Sequence, residues 1–400
     1  MSSDAAYPGR LRVVGASGSN RAMEAELKRL APRALGERLP KPERLDPQTL
    51  VFDFQPALAW LAVRYARTPS RVLWDLFDVD PTRLEPLYEA VVEQLLEMRP
   101  PWMREGARIS VEVRRSDLFP AGPLQIRGAV KNAIMDAGRQ LGVRLELSPE
   151  SPDLLFRVEA DDIGATLSLD LGGRSLHRRG YRKQTSEASL KETLAAQMLL
   201  LARWDARSEA LIDPMTGAGT LLLEGWGAAL GSTTWPSGPP PIGDFAPFDT
   251  LPKEAPDLFP GTPPPMAGIE VHTPTFRALT QNLDSATDAI TAIHGDFRDF
   301  PGDMIAKEMG HAHLPDKGLV IVNPPYGERL EKGRGHDPEL DALYEDLRQW
   351  WLSLGPGWRI AILGPGRPLK AIFGGHPKLD KPMRNGPLSV SLLVYDGASS

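Results

Sequence analysis

Residues 210–220 read Ala-Leu-Ile-Asp-Pro-Met-Thr-Gly-Ala-Gly-Thr. A short apolar strand, Ala210–Asp213, runs into a glycine-rich turn, and an apolar helix follows over Leu221–Leu230. Gly217 and Gly219 let the backbone turn sharply and approach a ligand closely. The start of the helix presents unpaired N–H groups and the positive end of its dipole, which suits a carboxylate or another polar head group. The turn lacks the third glycine of the dinucleotide fingerprint, and no Gly-Lys-Ser/Thr follows it. A dehydrogenase or an ATPase is therefore disfavoured.

Downstream, the segments 268–271, 289–294, 318–322 and 359–364 are short apolar runs of parallel-sheet character. Glu270 closes the first of them. An acidic residue there faces the crevice above a first glycine-rich turn and can bind ribose hydroxyls. The usual interval is roughly 20 residues, whereas here it is 270 − 219 = 51. The misfit disappears if the stretch 232–265, which holds 11 of the 39 prolines, is an insertion. That stretch reads either as a flexible insert or as an extended surface lid. Asp296 follows the next strand and could accept a hydrogen bond from an adenine amine.

The strand Gly318–Val322 ends in Asn323-Pro324-Pro325-Tyr326. An exocyclic amine on a nucleobase is a poor nucleophile, because its lone pair is delocalised into the ring. The Asn323 amide oxygen and the Pro324 carbonyl could accept its two N–H groups and turn the lone pair toward a methyl donor. Pro324 and Pro325 stiffen the turn, and Tyr326 offers a face for the base. The tetrapeptide alone does not separate guanine from adenine.

Composition narrows the chemistry. The chain has 400 residues and no cysteine, so disulfides, thiolate metal sites and a cysteine nucleophile are absent. Methylation at C5 of a pyrimidine generally needs that nucleophile, so the methylated atom is expected to be nitrogen. No metal site is expected: His311-Ala312-His313 lacks an obvious third ligand and reads as a surface loop. Net charge is −6, but residues 101–183 carry 14 Lys+Arg against 11 Asp+Glu. A basic centre in an acidic chain fits a localised nucleic-acid surface, or ordinary solvated charge. No apolar run reaches the ~18 residues of a membrane span, and the N-terminus lacks a signal-peptide pattern. A cytoplasmic monomer is expected.

Ahead of the catalytic segment, strands are predicted at 11–14, 50–54 and 71–77, with helices at 22–35, 56–67 and 84–98. A second group follows: strands at 108–114, 144–147, 153–159 and 164–171, with a helix over 123–141. A strongly basic stretch, 174–183, precedes a helix over 189–204.

Together these motifs resemble the class I S-adenosylmethionine-dependent methyltransferases: donor turn first, ribose acid second, adenine acid third, amine-binding tetrapeptide fourth. The stretch 169–182, from Leu169-Asp170-Leu171-Gly172-Gly173 to His177-Arg178-Arg179-Gly180-Tyr181-Arg182, is followed by Leu190-Lys191-Glu192-Thr193-Leu194-Ala195. It looks like the entry to the catalytic domain of THUMP-containing RNA guanine-N2 methyltransferases, most of all the bacterial branch acting on large-subunit ribosomal RNA. Residues 213–220 and Asn323 to Leu330 are similar to that family's two signatures, although Thr216 and Ala218 stand where it often has Cys and Ser.

The resemblance implies an α/β fold. A Rossmann-like class I methyltransferase domain would occupy 176–400, with a seven-stranded sheet, an antiparallel edge and the insert 232–265. An α+β ferredoxin-like unit (1–100) and a THUMP RNA-binding domain (101–175) would precede it. S-adenosyl-L-methionine would be held by Asp213, Pro214, Met215, Thr216, Gly217, Gly219, Thr220, Glu270 and Asp296. Asn323, Pro324, Pro325 and Tyr326 would act on the acceptor. Arg114, Arg115, Arg127, Lys131, Arg178, Arg179, Arg182 and Lys183 would contact RNA phosphates. The implied reaction is methyl transfer to guanine N2 in 23S ribosomal RNA. Transfer to tRNA guanine N2, transfer to adenine N6, and a non-catalytic RNA-binding assembly factor stay open. The turn Asn385-Gly386-Pro387-Leu388 and the strand 390–395 read as a sheet edge without direct chemistry.

Overall fold

The computed structural model of the chain describes residues 7–80, 83–115, 118–181, 190–235, 238–284, 286, 289–326 and 338–397. They form two compact units, and the chain passes between them repeatedly. Met1–Gly15, Leu27–Arg178 and Ser237–Ala255 make the first; Ala16–Glu26, Arg179–Pro236 and Pro256–Ser400 make the second. The segments 1–100 and 101–175, expected as separate domains, thus fall largely into one unit, which also takes in the middle of the proline-rich stretch.

The first unit is built on β1 (Arg10–Val14), β2 (Glu43–Asp46), β3 (Thr49–Asp53), β4 (Arg71–Val79), β5 (Arg108–Arg115), β6 (Glu146–Leu147), β7 (Leu154–Ala160) and β8 (Ala165–Asp170). They make one sheet in the order β2-β3-β1-β4-β8-β7-β5-β6. Antiparallel pairing of β4 with β8 joins the two halves. Helix α1 (Asn20–Ala34) is divided between the units at Leu27, and α2 (Pro56–Tyr65), α3 (Leu84–Met98) and α4 (Pro123–Gln140) accompany the sheet. On α3, Leu87, Val91 and Leu95 recur at helical spacing and are buried. β2 was not predicted: its Glu-Arg-Leu-Asp sequence is polar, as suits an exposed sheet edge.

Alternate residues of this sheet carry a paired charge lattice. Arg12 bonds Asp75 at 3.1 Å and also pairs with Glu159. Asp170 is shared by Arg71 at 2.6 Å and Arg157 at 2.7 Å. Arg108 pairs with Asp153. Arg108 and Arg157, two of the arginines of 101–183, are therefore paired within the sheet.

The stretch 238–255 is neither a free insert nor an extended lid. Phe245 and Phe248 are buried, with Phe248 edge-on to Phe54 at 6.2 Å and 5.9 Å from the Trp60 ring. From α2, Trp60 Nε1 and Arg64 Nη1 donate to the Pro252 carbonyl at 3.1 and 3.0 Å. The prolines prevent regular structure, and the aromatic side chains between them supply the anchor.

The second unit holds α5 (Glu192–Leu201), β9 (Ala210–Asp213), α6 (Thr220–Leu230), β10 (Met266–Glu270), α7 (Thr273–Asn282), β11 (Ile290–His294), α8 (Gly302–Glu308), β12 (Gly318–Val322), α9 (Pro338–Ser353), β13 (Trp358–Gly364), α10 (Gly366–Phe373), β14 (Leu379–Asn385) and β15 (Leu388–Tyr395). The seven strands run β11-β10-β9-β12-β13-β15-β14. The first five are parallel; β15 is antiparallel to both β13 and β14. The order turns back between β9 and β12, which makes that crevice the topological switch point where ligands bind in open α/β sheets. Strand β14, also missing from the prediction, contains Pro382 and many polar residues, which an edge position tolerates.

Candidate active site

The glycine-rich turn leaves β9 at Asp213. Gly217 and Gly219 both have positive φ, +56° and +87°. A Cβ on Gly219 would lie 2.6 Å from Leu279 Cδ1, whereas one on Gly217 would meet nothing within 4 Å. Gly219 therefore seats the turn on α7, and the Gly217 side stays open. Asn282 Nδ2 donates to the Ala218 carbonyl at 3.0 Å, and Thr216 N–H donates to the Ile269 carbonyl at 3.0 Å. Pro214 and Thr220 are buried, while Met215 is half-buried.

Two carboxylates converge here. Asp213 is buried and accepts from the Met215 N–H at 3.2 Å. Burial pushes its carboxyl up to about 8; the Met215 N–H opposes the rise and the nearby Glu270 charge adds to it. Glu270 accepts from Gly217 N–H at 3.0 Å and from His272 N–H at 2.7 Å. A carboxylate has about four acceptor positions, so Glu270 keeps capacity for a ligand hydroxyl while tying β10 to the turn. The Thr216 hydroxyl is buried beside Asp213 without a hydrogen bond of good geometry. Asp296 is half-buried, accepts from Arg298 N–H at 3.0 Å and pairs with the Arg298 guanidinium at 3.3 Å.

Register brings Asn323-Pro324-Pro325-Tyr326 to the same place. Val320 lies opposite Ile212, and Gly268 opposite Asp213. Asn323 and Glu270 therefore stand two residues beyond the Asp213 row on the flanking strands, roughly 7 Å farther along. Pro324 is buried, Asn323 and Tyr326 are half-buried, and Pro325 is exposed. The Tyr344 hydroxyl of α9 donates to the Pro325 carbonyl at 3.0 Å and pins the turn. The Tyr326 hydroxyl donates to Asn323 Oδ1 at 2.6 Å and accepts from Asn385 Nδ2 at 3.0 Å. Burial pushes the Tyr326 phenol up to about 12, a rise the Asn385 bond opposes. Asn385 was read as part of a turn without chemistry; the structure puts its side chain on the tetrapeptide. The four residues Gly327 to Leu330 lie outside the described residues.

The basic residues divide. Arg114, Arg127 and Arg178 are exposed and Lys131 is half-buried. Arg179 is a correction: it is 2% exposed and pairs with Glu224 of α6 at 3.4 Å, so its guanidinium is not presented to RNA. Tyr181 bonds the same Glu224 at 3.1 Å. The side chain of Arg115, and Arg182 and Lys183, lie outside the described residues. His311 and His313 are exposed. Among the described residues no helix is long and apolar enough to cross a membrane, and no three His, Asp or Glu side chains are placed to hold a metal ion.

Comparison with known proteins places the chain among sequence and fold relatives. Residues 179–255 match a family model described as UPF0020: RMKL-like, methyltransferase domain. The chain is 33% identical over 377 residues to the ribosomal RNA large subunit methyltransferase K/L of Syntrophotalea carbinolica, covering 86% of this chain and 48% of that protein. The protein of that name from Allochromatium vinosum is 34% identical over 281 residues, covering 66% and 36%. The chain thus spans about half the length, or less, of the curated relatives it matches. Among solved structures, SMU.472, determined in complex with SAH, superposes with a TM-score of 0.75 at 21% identity, covering 98% of this chain and 99% of that one. TrmN from Thermus thermophilus superposes at 0.69 with 20% identity, covering 98% and 100%. Both share the fold. By sequence and fold together, the chain is a relative of the ribosomal RNA large subunit methyltransferase K/L proteins and has the Rossmann-like class I methyltransferase architecture.

Proposed function

We propose that this chain is an S-adenosyl-L-methionine-dependent RNA methyltransferase that methylates the exocyclic N2 amine of a guanine in 23S ribosomal RNA. One observation carries the reading. Asn323 and the glycine-rich turn lie at the carboxyl ends of the adjacent strands β12 and β9, on the two sides of the switch point. Donor cradle and acceptor amide thus share one crevice. The relatives named for large-subunit ribosomal RNA favour that substrate, and the SAH in the SMU.472 structure favours that donor.

The residues present fit the donor. The open side of Gly217, the start of α6, the Glu270 carboxylate and the buried Asp213 carboxyl, which keeps its proton below about pH 8, offer hydrogen-bond donors and acceptors to a zwitterionic nucleoside. Asp213, Glu270, Thr216 and Gly217 would hold it, with Pro214, Met215, Gly219 and Thr220 shaping the turn and Asp296 reaching the adenine end. When bound, S-adenosylmethionine supplies an electrophilic sulfonium methyl group. Asn323 Oδ1 and the Pro324 carbonyl accept the amine N–H groups and align the nitrogen lone pair for in-line attack. The Tyr326 ring stacks the base after its extrusion. The amine proton is lost to solvent after transfer, so no strong general base is called for. Arg114, Arg115, Arg127, Lys131 and Arg178 of the first unit, together with Arg182 and Lys183, serve as phosphate contacts of a THUMP-type RNA-binding surface. Donor and acceptor residues come from one chain, so a monomer suffices, and a ribosomal RNA substrate would place the reaction in the cytoplasm.

The test is incubation of unmodified total RNA with methyl-labelled S-adenosylmethionine, followed by mass spectrometry of the nucleosides. Label in N2-methylguanosine from large-subunit RNA is expected. Label in tRNA would move the substrate, label in N6-methyladenosine would move the base, and a titration showing no S-adenosylmethionine binding would favour an assembly factor.

A further inference from the structure

Asn385 is the last residue of β14, about sixty positions from the tetrapeptide in sequence. The hairpin explains its arrival. Asn385 faces Leu388 across the two-residue turn Gly386-Pro387, with Gly386 at φ +61°. Strand β15 is antiparallel to β13, with Ser391 opposite Gly364. The start of β15, and with it the hairpin turn, therefore lies at the carboxyl ends of the parallel strands, beside Asn323. The Tyr326 ring packs there as well: a Cβ on Gly364 would be 3.7 Å from its Cδ1.

The polarity of the two bonds follows from the orientation of the two amides. Asn385 Nδ2 is a donor only, so the Tyr326 oxygen accepts from it at 3.0 Å. The phenol proton is then directed to Asn323 Oδ1 at 2.6 Å. A hydroxyl donor at that point fixes the Asn323 amide with its oxygen toward Tyr326, because the flipped NH2 would meet an O–H. An amide oxygen has two acceptor positions. With one taken by Tyr326, the other is held in a defined direction for an incoming N–H.

We propose that Asn385 is a positioning residue: the directed chain Asn385 Nδ2–H to Tyr326 Oη–H to Asn323 Oδ1 fixes the rotamer and flip state of the acceptor amide. The proposal rests on the amine-methylation reading above and deepens it. It also gives Tyr326 a second role. The same bond that orients Asn323 holds the phenol ring in a set relation to the amide, so base stacking and amine capture are built as one unit.

Asn385→Asp is the sharp variant. It keeps shape and volume but replaces the donor by an acceptor, so the Tyr326 proton turns to residue 385 and leaves Asn323. Turnover on total RNA with labelled S-adenosylmethionine should fall about 10- to 100-fold in kcat, while affinity for S-adenosylhomocysteine and the melting temperature stay unchanged. Asn385→Ala should lose a similar factor. In a Tyr326→Phe background, which keeps the ring and removes the relay, Asn385→Asp should cost nothing further. Turnover of Asn385→Asp at the parental rate would overturn the proposal, as would independent losses in the double variant. Selective 15N-asparagine labelling gives a reading apart from turnover. The Asn323 side-chain amide signal should shift in both Asn385→Asp and Tyr326→Phe, and an unmoved signal refutes the relay. A variant Asn323→Ala at the parental rate would instead discredit the amine reading itself, and the relay with it.

Discussion

At the scale of single residues, the glycine-rich turn makes two demands that can be separated. Asp213 is raised to about 8 by burial, so the folded chain holds a proton that the unfolded chain releases near the ordinary carboxylate value. The stability Asp213 contributes is therefore full below about pH 4 and is lost as pH rises toward 8, at up to about 1.4 kcal/mol per pH unit. Thermal unfolding of Asp213→Asn should show a flatter pH dependence between 5 and 8 than the parent. The glycines differ as well. Gly219→Ala meets both positive φ and Leu279 at 2.6 Å, and should lose stability by more than about 2 kcal/mol in denaturant titration. Gly217→Ala meets only its positive φ, and should cost about 1 kcal/mol in stability while weakening donor affinity, because its methyl group would enter the open side. The acids and glycines of this site were legible because each sits at a strand end, where the chain pattern itself predicts the crevice. Asn385 was not, because its approach depends on an antiparallel hairpin, and a short polar Asn-Gly-Pro segment reads as any turn.

At the scale of elements, apolar strands declared themselves and polar edges did not. Strands β9 and β12 end where their sequences suggest, at Asp213 and Val322. Strands β2 and β14 escaped because an edge strand needs few apolar residues and tolerates proline. The proline-rich stretch shows the reverse failure. Its composition signalled irregular backbone correctly, but aromatic side chains between prolines can anchor such backbone as firmly as a helix. Phe248 is fully buried against Phe54 and Trp60. Phe248→Ala should destabilise the first unit by about 3–5 kcal/mol in chemical denaturation; a loss below about 1 kcal/mol would mean the anchor is dispensable.

At the scale of the whole molecule, charge is distributed by pairing and not by composition. The net charge is −6, and pairing with carboxylates takes Arg12, Arg71, Arg108 and Arg157 out of the pool of cations available to RNA. Arg127→Ala should weaken RNA binding at every sequence and reduce the salt slope by about one. Arg179→Ala should leave that slope alone and instead destabilise the fold by about 3–5 kcal/mol, because it removes the guanidinium paired with the buried Glu224 carboxylate. The sequence could not make that distinction: both are arginines in a basic segment, and the partner of Arg179 lies 45 positions away.

The most direct test of the account is the Asn323→Ala variant, assayed for N2-methylguanosine in unmodified large-subunit RNA with S-adenosylhomocysteine affinity measured alongside. The account predicts at least about 100-fold slower methylation with donor-site affinity unchanged. Methylation at the parental rate, or label appearing at an atom other than an exocyclic amine, would contradict it.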